Sequence, residues 1–159
     1  MKSLNQYIQE KLVINSLQEK LVIKKSKNYK YSPKTKKELR KIIEKRIKEE
    51  GKEVDLNDID VSKITDMSRL FEVLDFNGDI SEWDVSKVEN MSSIFYNCSK
   101  FNKDLSSWDV SNVTNMNFMF SGCKSFNQDI SNWDVSNVKN KDGIFINCPI
   151  EDKYKPNFK

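Results

Sequence analysis

Apolar and polar residues follow one another along this chain in a pattern that returns every 24 or 25 positions. Asp84-Val85-Ser86-Lys87-Val88 comes back as Asp109-Val110-Ser111-Asn112-Val113 and as Asp134-Val135-Ser136-Asn137-Val138, with an earlier copy at Asp60-Val61-Ser62-Lys63-Ile64. Phe71, Phe95, Phe120 and Phe145 keep the same register, as do Trp83, Trp108 and Trp133. Within a copy, Met91, Ile94, Phe95 and Cys98 fall at i, i+3, i+4 and i+7, the spacing of one helix face. Asp66, Asn90, Asn115 or Asn140 precedes that face and is suited to cap a first turn. Asn97, Gly122 or Asn147 follows the phenylalanine and tolerates the left-handed conformation that stops a helix. The segment Ile80-Ser81-Glu82-Trp83-Asp84-Val85 separates apolar residues by polar ones, as in a short strand. The pattern therefore predicts an α/β repeat protein. About 3.5 coils of 24–25 residues are expected, each a short parallel strand plus a two-turn helix.

A unit this small cannot bury its own apolar face, so neighbouring coils must stack. Stacking predicts structural ladders of Trp83, Trp108 and Trp133, of Phe71, Phe95, Phe120 and Phe145, and of Cys98, Cys123 and Cys148. Burial of each aromatic is worth roughly 1.5–3 kcal/mol.

Upstream, Thr35-Lys36-Lys37-Glu38 fits a capping box, and Leu39, Ile42, Ile43 and Ile47 form a helical stripe ending at Gly51. This predicts a helix over about 36–50 that covers the open first coil. Further upstream, Leu12-Val13-Ile14 and Leu21-Val22-Ile23 read as a hairpin or as two β-edges able to join a partner's sheet. The expected organisation is a basic arm over 1–31, a capping helix and connection over 32–55, the repeats over 56–150 and a tail over 151–159.

Charge sharpens this division. Residues 1–50 carry 15 Lys/Arg against 6 Asp/Glu, while the rest of the chain is acidic and the whole carries +3. There is no histidine, which removes the commonest general base and metal ligand. No apolar run spans a membrane and no signal peptide opens the chain, so a cytoplasmic or virion-associated location is expected over classical secretion.

Candidate chemistry is sparse. One cysteine per coil suits a metal or redox site less well than a column of buried thiols. Asp79, Asp104 and Asp129, with Asp84, Asp109 and Asp134, have the oxygen ligands calcium requires, but turn N–H groups are the commoner partners of such side chains. The sequons at Asn90, Asn97 and Asn112 fall inside the Asn/Ser-rich repeat and are taken as accidental. No phosphate loop, nucleophile elbow or acid pair is present, so neither an enzyme nor a cofactor is expected.

Trp-Asp-Val-Ser-Asn-Val-Thr-Asn-Met at 108–116, with Met119-Phe120-Ser121-Gly122-Cys123 and Phe126-Asn127-Gln128-Asp129-Ile130-Ser131, resembles the BspA-like family of bacterial leucine-rich-repeat surface proteins over about residues 56–150. That resemblance implies a short right-handed leucine-rich-repeat-like solenoid with a parallel sheet on one face, and a binding or adhesion role. Met1 to Leu12 is similar to the starts of small proteins from large tailed gut phages, which implies a virion-associated or host-interaction component.

The expected function is a non-enzymatic protein–protein interaction module, possessing an N-terminal anchor and capable of joining a larger assembly. Expected partner-binding residues are Val13, Val22, Lys24, Lys25, Lys27, Tyr29 and Tyr31 in the arm, and Ser92, Ser93, Tyr96, Lys100 and Lys103 in the repeats. The alternative is a nucleic-acid-associated regulatory binder, in which the cations of residues 1–50 neutralise phosphates and the tyrosines stack on bases.

Overall fold

Five-residue units of the form Asp/Asn, apolar, Ser/Asn, any, apolar build the repeats. In Asp79-Ile80-Ser81-Glu82-Trp83 the Asp79 carboxylate accepts the Ser81 N–H at 2.9 Å, and the Trp83 N–H closes a turn on the Ile80 carbonyl. Asp84 does the same for Ser86, and Asn90 for Ser92, each followed by a turn. Both apolar members of each unit are buried: Ile80 and Trp83, Val85 and Val88, Met91 and Ile94. A coil thus has three such corners, and equivalent bonds recur at Asp55, Asp60 and Asp66, at Asp104, Asp109 and Asn115, and at Asp129 and Asp134. The carboxylates weighed above as calcium ligands are thereby placed in Asx turns.

The computed structural model describes residue 6, residues 8–15 and residues 28–158. From residue 28 onward its regular elements are one α-helix, Lys36–Glu50, and one 3-10 turn, Asp152–Tyr154. The expected coil of parallel strand plus two-turn helix is therefore incorrect, and with it the α/β solenoid of leucine-rich-repeat type. Between coils there are only isolated parallel bridges, Asp66 to Asn90, Asn90 to Asn115 and Asn115 to Asn140 among them.

Backbone hydrogen bonding explains the difference. The N–H groups of Met91, Ser93, Phe95 and Asn97 donate to carbonyls of the following coil, those of Asn115, Asn117, Met119 and Ser121. The alternate N–H groups, Ile94, Tyr96 and Cys98, turn back to the carbonyls three residues earlier. No N–H is left for an i to i−4 helical ladder, and the turns interrupt any strand. Left-handed residues accompany these turns: Ser93 has φ 55° and Asn97 φ 57°, matched by Phe118 and Gly122 in the next coil. A positive φ at the third residue of a turn is the type II geometry. Asn97, Gly122 and Asn147 do take the left-handed conformation, but they close turns, not helices.

Side chains complete the stack. Phe71, Phe95, Phe120 and Phe145 stack with centroids 5.5, 5.5 and 5.9 Å apart. Phe76, Phe101 and Phe126 form a second column at 6.2 and 6.0 Å. Trp83, Trp108 and Trp133 each donate an indole N–H to a carbonyl of the preceding coil, Leu56, Ile80 and Leu105. Asn77, Asn102 and Asn127 carry a polar column whose ends are met by Glu53 and Glu151.

The helix Lys36–Glu50 closes the first coil. Thr35 Oγ1 accepts the Glu38 N–H, while the Glu38 carboxylate accepts the Lys34 N–H, one residue beyond the Thr35 N–H of the expected reciprocal box. Leu39, Ile43 and Arg46 are its buried residues. Arg40 Nη1 donates to the carbonyls of Arg69 and Leu70 at 2.6 and 2.8 Å. Leu70 is the counterpart of Ile94, whose carbonyl receives the Phe71 N–H, so the guanidinium fills the place of a missing coil. Among the described residues no helix is long and apolar enough to cross a membrane.

The Asx corners make a pH prediction. The Ser81 N–H holds the Asp79 carboxyl below the usual carboxylate range, against the opposing effect of partial burial. The Ser131 hydroxyl and N–H lower Asp129 likewise. Carboxyls depressed by folding stabilise above their unfolded pKa, about 3.9, and that contribution is lost as pH falls through the folded values. Asn already serves the corner at Asn90 and Asn115. The double substitution D79N/D129N should therefore leave the urea midpoint at pH 7 nearly unchanged and flatten its fall below about pH 4. An acid limb identical to that of the unmodified chain would refute this role for the two carboxylates.

Candidate interaction groove

The three cysteines lie inside the stack. Cys98 Sγ donates to the Phe71 carbonyl at 2.8 Å and Cys123 Sγ to the Phe95 carbonyl at 3.0 Å, while Cys148, at the last coil, is only partly buried. Burial pushes the Cys98 thiol up to about 12 and raises Cys123 and Cys148 as well. A protonated thiol held against a carbonyl is a poor nucleophile and metal ligand.

The surface is more informative. The column of turns from Arg69 to Asn147 forms an open groove of about 550 Å³ across the coils. Its lining repeats by register: Arg69, Ser93 and Phe118 occupy one slot, Glu72, Tyr96, Ser121 and Ile146 a second, and Asn97, Gly122 and Asn147 a third. Gly122 has φ 78°, and a Cβ there would meet Asn97 Oδ1 at 2.1 Å, so a larger residue would have to displace the Asn97 side chain. Arg69 and Glu72 make an ion pair of 3.5 Å at one end. From residue 28 onward the large apolar side chains left exposed are Val73, Phe118 and Ile146, at 67%, 40% and 51%. Phe118 and Ile146 line the groove and Val73 adjoins Glu72.

Of the residues expected to bind a partner, Ser93 and Tyr96 line this groove. Ser92 is tied into the Asn90 turn, Lys103 faces Glu53 at 3.6 Å and Lys100 is exposed outside the groove. Tyr31 is part of the stack: it bridges Ile59 and lies beneath the Arg46 guanidinium at 5.6 Å. Tyr29 is half-buried. Residues 8–15 are helical, so the reading of Val13 as part of a hairpin or β-edge is incorrect; it is an exposed helical residue. Val22, Lys24, Lys25 and Lys27 lie outside the described residues. Sequence reasoning missed Phe118 and Ile146. The available signal was register, because they stand at the Ser93 and Tyr96 positions of later coils.

A family model described as Mycoplasma protein of unknown function, DUF285, matches residues 37–156, from the capping helix through the last coil. No curated protein and no solved structure matches the chain.

Proposed function

The chain belongs to that DUF285 family, and from this footing we propose that it is a non-catalytic interaction module that takes a protein partner in the groove between Arg69 and Asn147. The supporting observation is the gathering of Val73, Phe118 and Ile146 on one face of a stack whose other large apolar residues are covered. Exposed apolar side chains ringed by polar ones mark protein-binding surfaces. The resemblance of residues 56–150 to BspA-like binding proteins agrees with this role. The N-terminal segment serves as a second point of attachment, because its helical residues expose Ile8, Leu12, Val13 and Ile14.

Phe118 allows binding to be separated from folding. Its φ of 55° is unfavourable for phenylalanine and tolerated by asparagine. F118N should keep or slightly raise the melting temperature while removing the central apolar contact. Cross-linking followed by mass spectrometry should then lose the partner peptides that the unmodified chain joins to groove residues. Equal cross-linking by the two chains would sink the proposal.

A second reading rests on the outer side of the capping helix, where Lys37, Lys41, Lys45 and Lys48 are all exposed. These cations suit a polyanion such as nucleic acid. Repeating the binding experiment at two salt concentrations separates the readings, since phosphate contacts weaken steeply with salt.

A further inference from the structure

The two ends of the stack are chemically different, because the bonds of the turn column all run one way. Each coil donates N–H groups at every second residue to the carbonyls of the coil after it. Phe118, Phe120 and Gly122 donate to the carbonyls of Asp142, Ile144 and Ile146 at 2.8, 2.9 and 2.8 Å. The first coil is therefore left with carbonyls and the last with N–H groups. At the first coil Arg40 supplies donors to Leu70 and Arg69. At the last coil the corresponding donors are Gly143, Phe145 and Asn147, and among the described residues they have no acceptor. Residues 149–158 supply them no acceptor. This segment continues along another side of the coil, where the Tyr154 carbonyl receives the Ile130 N–H and Phe158 packs near Trp133. On this side the Lys155 ammonium lies over the Phe145 ring at 5.7 Å, and the Lys141 ammonium lies over the Phe158 ring at 5.6 Å.

We infer that the row of N–H groups at Gly143, Phe145 and Asn147 is a docking edge for a segment of another polypeptide chain, laid on as one further coil. The chemistry selects the occupant. The edge offers donors alone, so it accepts a backbone that presents a carbonyl at every second residue. Two copies of this chain cannot meet edge to edge, because donor would face donor. Nor can the edge join the first coil of another copy, whose Leu70 carbonyl is held by Arg40. The occupant is therefore a different protein carrying the same turn pattern, with an aromatic or aliphatic side chain to continue the phenylalanine column beyond Phe145. This edge differs from the groove in its chemistry, although Asn147 touches both and the groove residues Phe118 and Ile146 lie beside Gly143.

A synthetic peptide of residues 90–97 is the probe, because in the stack its Asn90, Ser92, Ile94 and Tyr96 carbonyls accept the N–H groups of the preceding coil. Amide exchange of the full chain is followed by NMR with and without it. At a peptide concentration about ten times Kd, exchange at Gly143, Phe145 and Asn147 should slow about tenfold by mass action. The amides of Ile146 and Cys148, already bonded to Gly143 and Phe145 carbonyls, should not change. This every-second-residue signature supports the edge. Unchanged exchange up to the solubility limit of the peptide, or slowing spread evenly over 143–148, overturns it. So does a signature lost in Y96S, where the altered side chain lines the groove two coils before the edge; that would place the peptide in the groove and leave the groove reading intact.

Discussion

Replacing Phe95 by alanine should cost about 3–5 kcal/mol and lower the melting temperature by about 10 °C or more. Phe95 is fully buried and its ring meets four others: Phe71 and Phe120 above and below, Phe101 at 4.1 Å and Trp108 at 6.2 Å. Truncation removes the apolar transfer energy and leaves a cavity, and here relaxation is restricted. Backbone bonds between coils, such as Phe95 N–H to the Met119 carbonyl at 3.1 Å, fix the spacing of the rings. Phe145 occupies the same column at its open end and is only partly buried, so F145A should cost clearly less. Urea unfolding followed by tryptophan fluorescence reads both variants. Equal losses for the two would contradict a column held from both sides. A reduced m-value in F95A would mean that the halves of the stack unfold separately.

Replacing Arg46 by methionine should cost about 2–4 kcal/mol, somewhat below the usual range for a broken buried ion pair because water can reach part of the orphaned carboxylate. Arg46 is 6% exposed. Its guanidinium donates to both Asp58 oxygens at 2.9 Å, to the Asp55 carbonyl at 2.9 Å and to Glu50. Methionine fills similar space but leaves Asp58 and the Asp55 carbonyl without that donor. The loss should spread to the neighbouring segment, because the Asp58 carbonyl receives the Lys30 N–H and the Tyr31 carbonyl receives the Asp60 N–H. Adding D58N should recover part of the stability by removing the orphaned charge. If R46M/D58N is less stable than R46M by the full cost of D58N alone, the two side chains are not coupled and the role given to the pair is wrong.

Both substitutions test features that differ in how far sequence reveals them. The capping helix was legible from Thr35, the stripe Leu39, Ile42, Ile43 and Ile47, and Gly51, because caps and helical periodicity are local. Arg46 lies on the same helix and read as one more cation of a basic segment. Its role depends on Asp55 and Asp58, brought opposite it only when the helix folds over the first coil.

The apolar spacing inside each coil misled for a definite physical reason. Met91 and Ile94, or Val85 and Val88, are separated by three residues, and a helical turn and a β-turn both place such a pair on one side of the backbone. Sequence periodicity does not distinguish them. The choice is made by where the N–H groups go, and stacking coils offer Met91, Ser93 and Phe95 acceptors that an isolated segment lacks. The exposed apolar positions were hidden similarly. Phe118 falls outside the Met116, Met119, Phe120 and Cys123 spacing, and its place in the groove follows from the left-handed turn that carries it.

By itself, then, the sequence determined the 24–25-residue period, the register of the phenylalanine column and the capped helix, since each follows from residue identity and spacing alone. Only the tertiary structure decided that the coils are built of turns, that a groove joins Tyr96, Phe118 and Ile146, and that the Arg40 guanidinium meets carbonyls at one end of the stack while the N–H groups of Gly143, Phe145 and Asn147 at the other have no acceptor among the described residues. Those outcomes depend on hydrogen bonds between residues some 25 positions apart, whose direction no local pattern encodes.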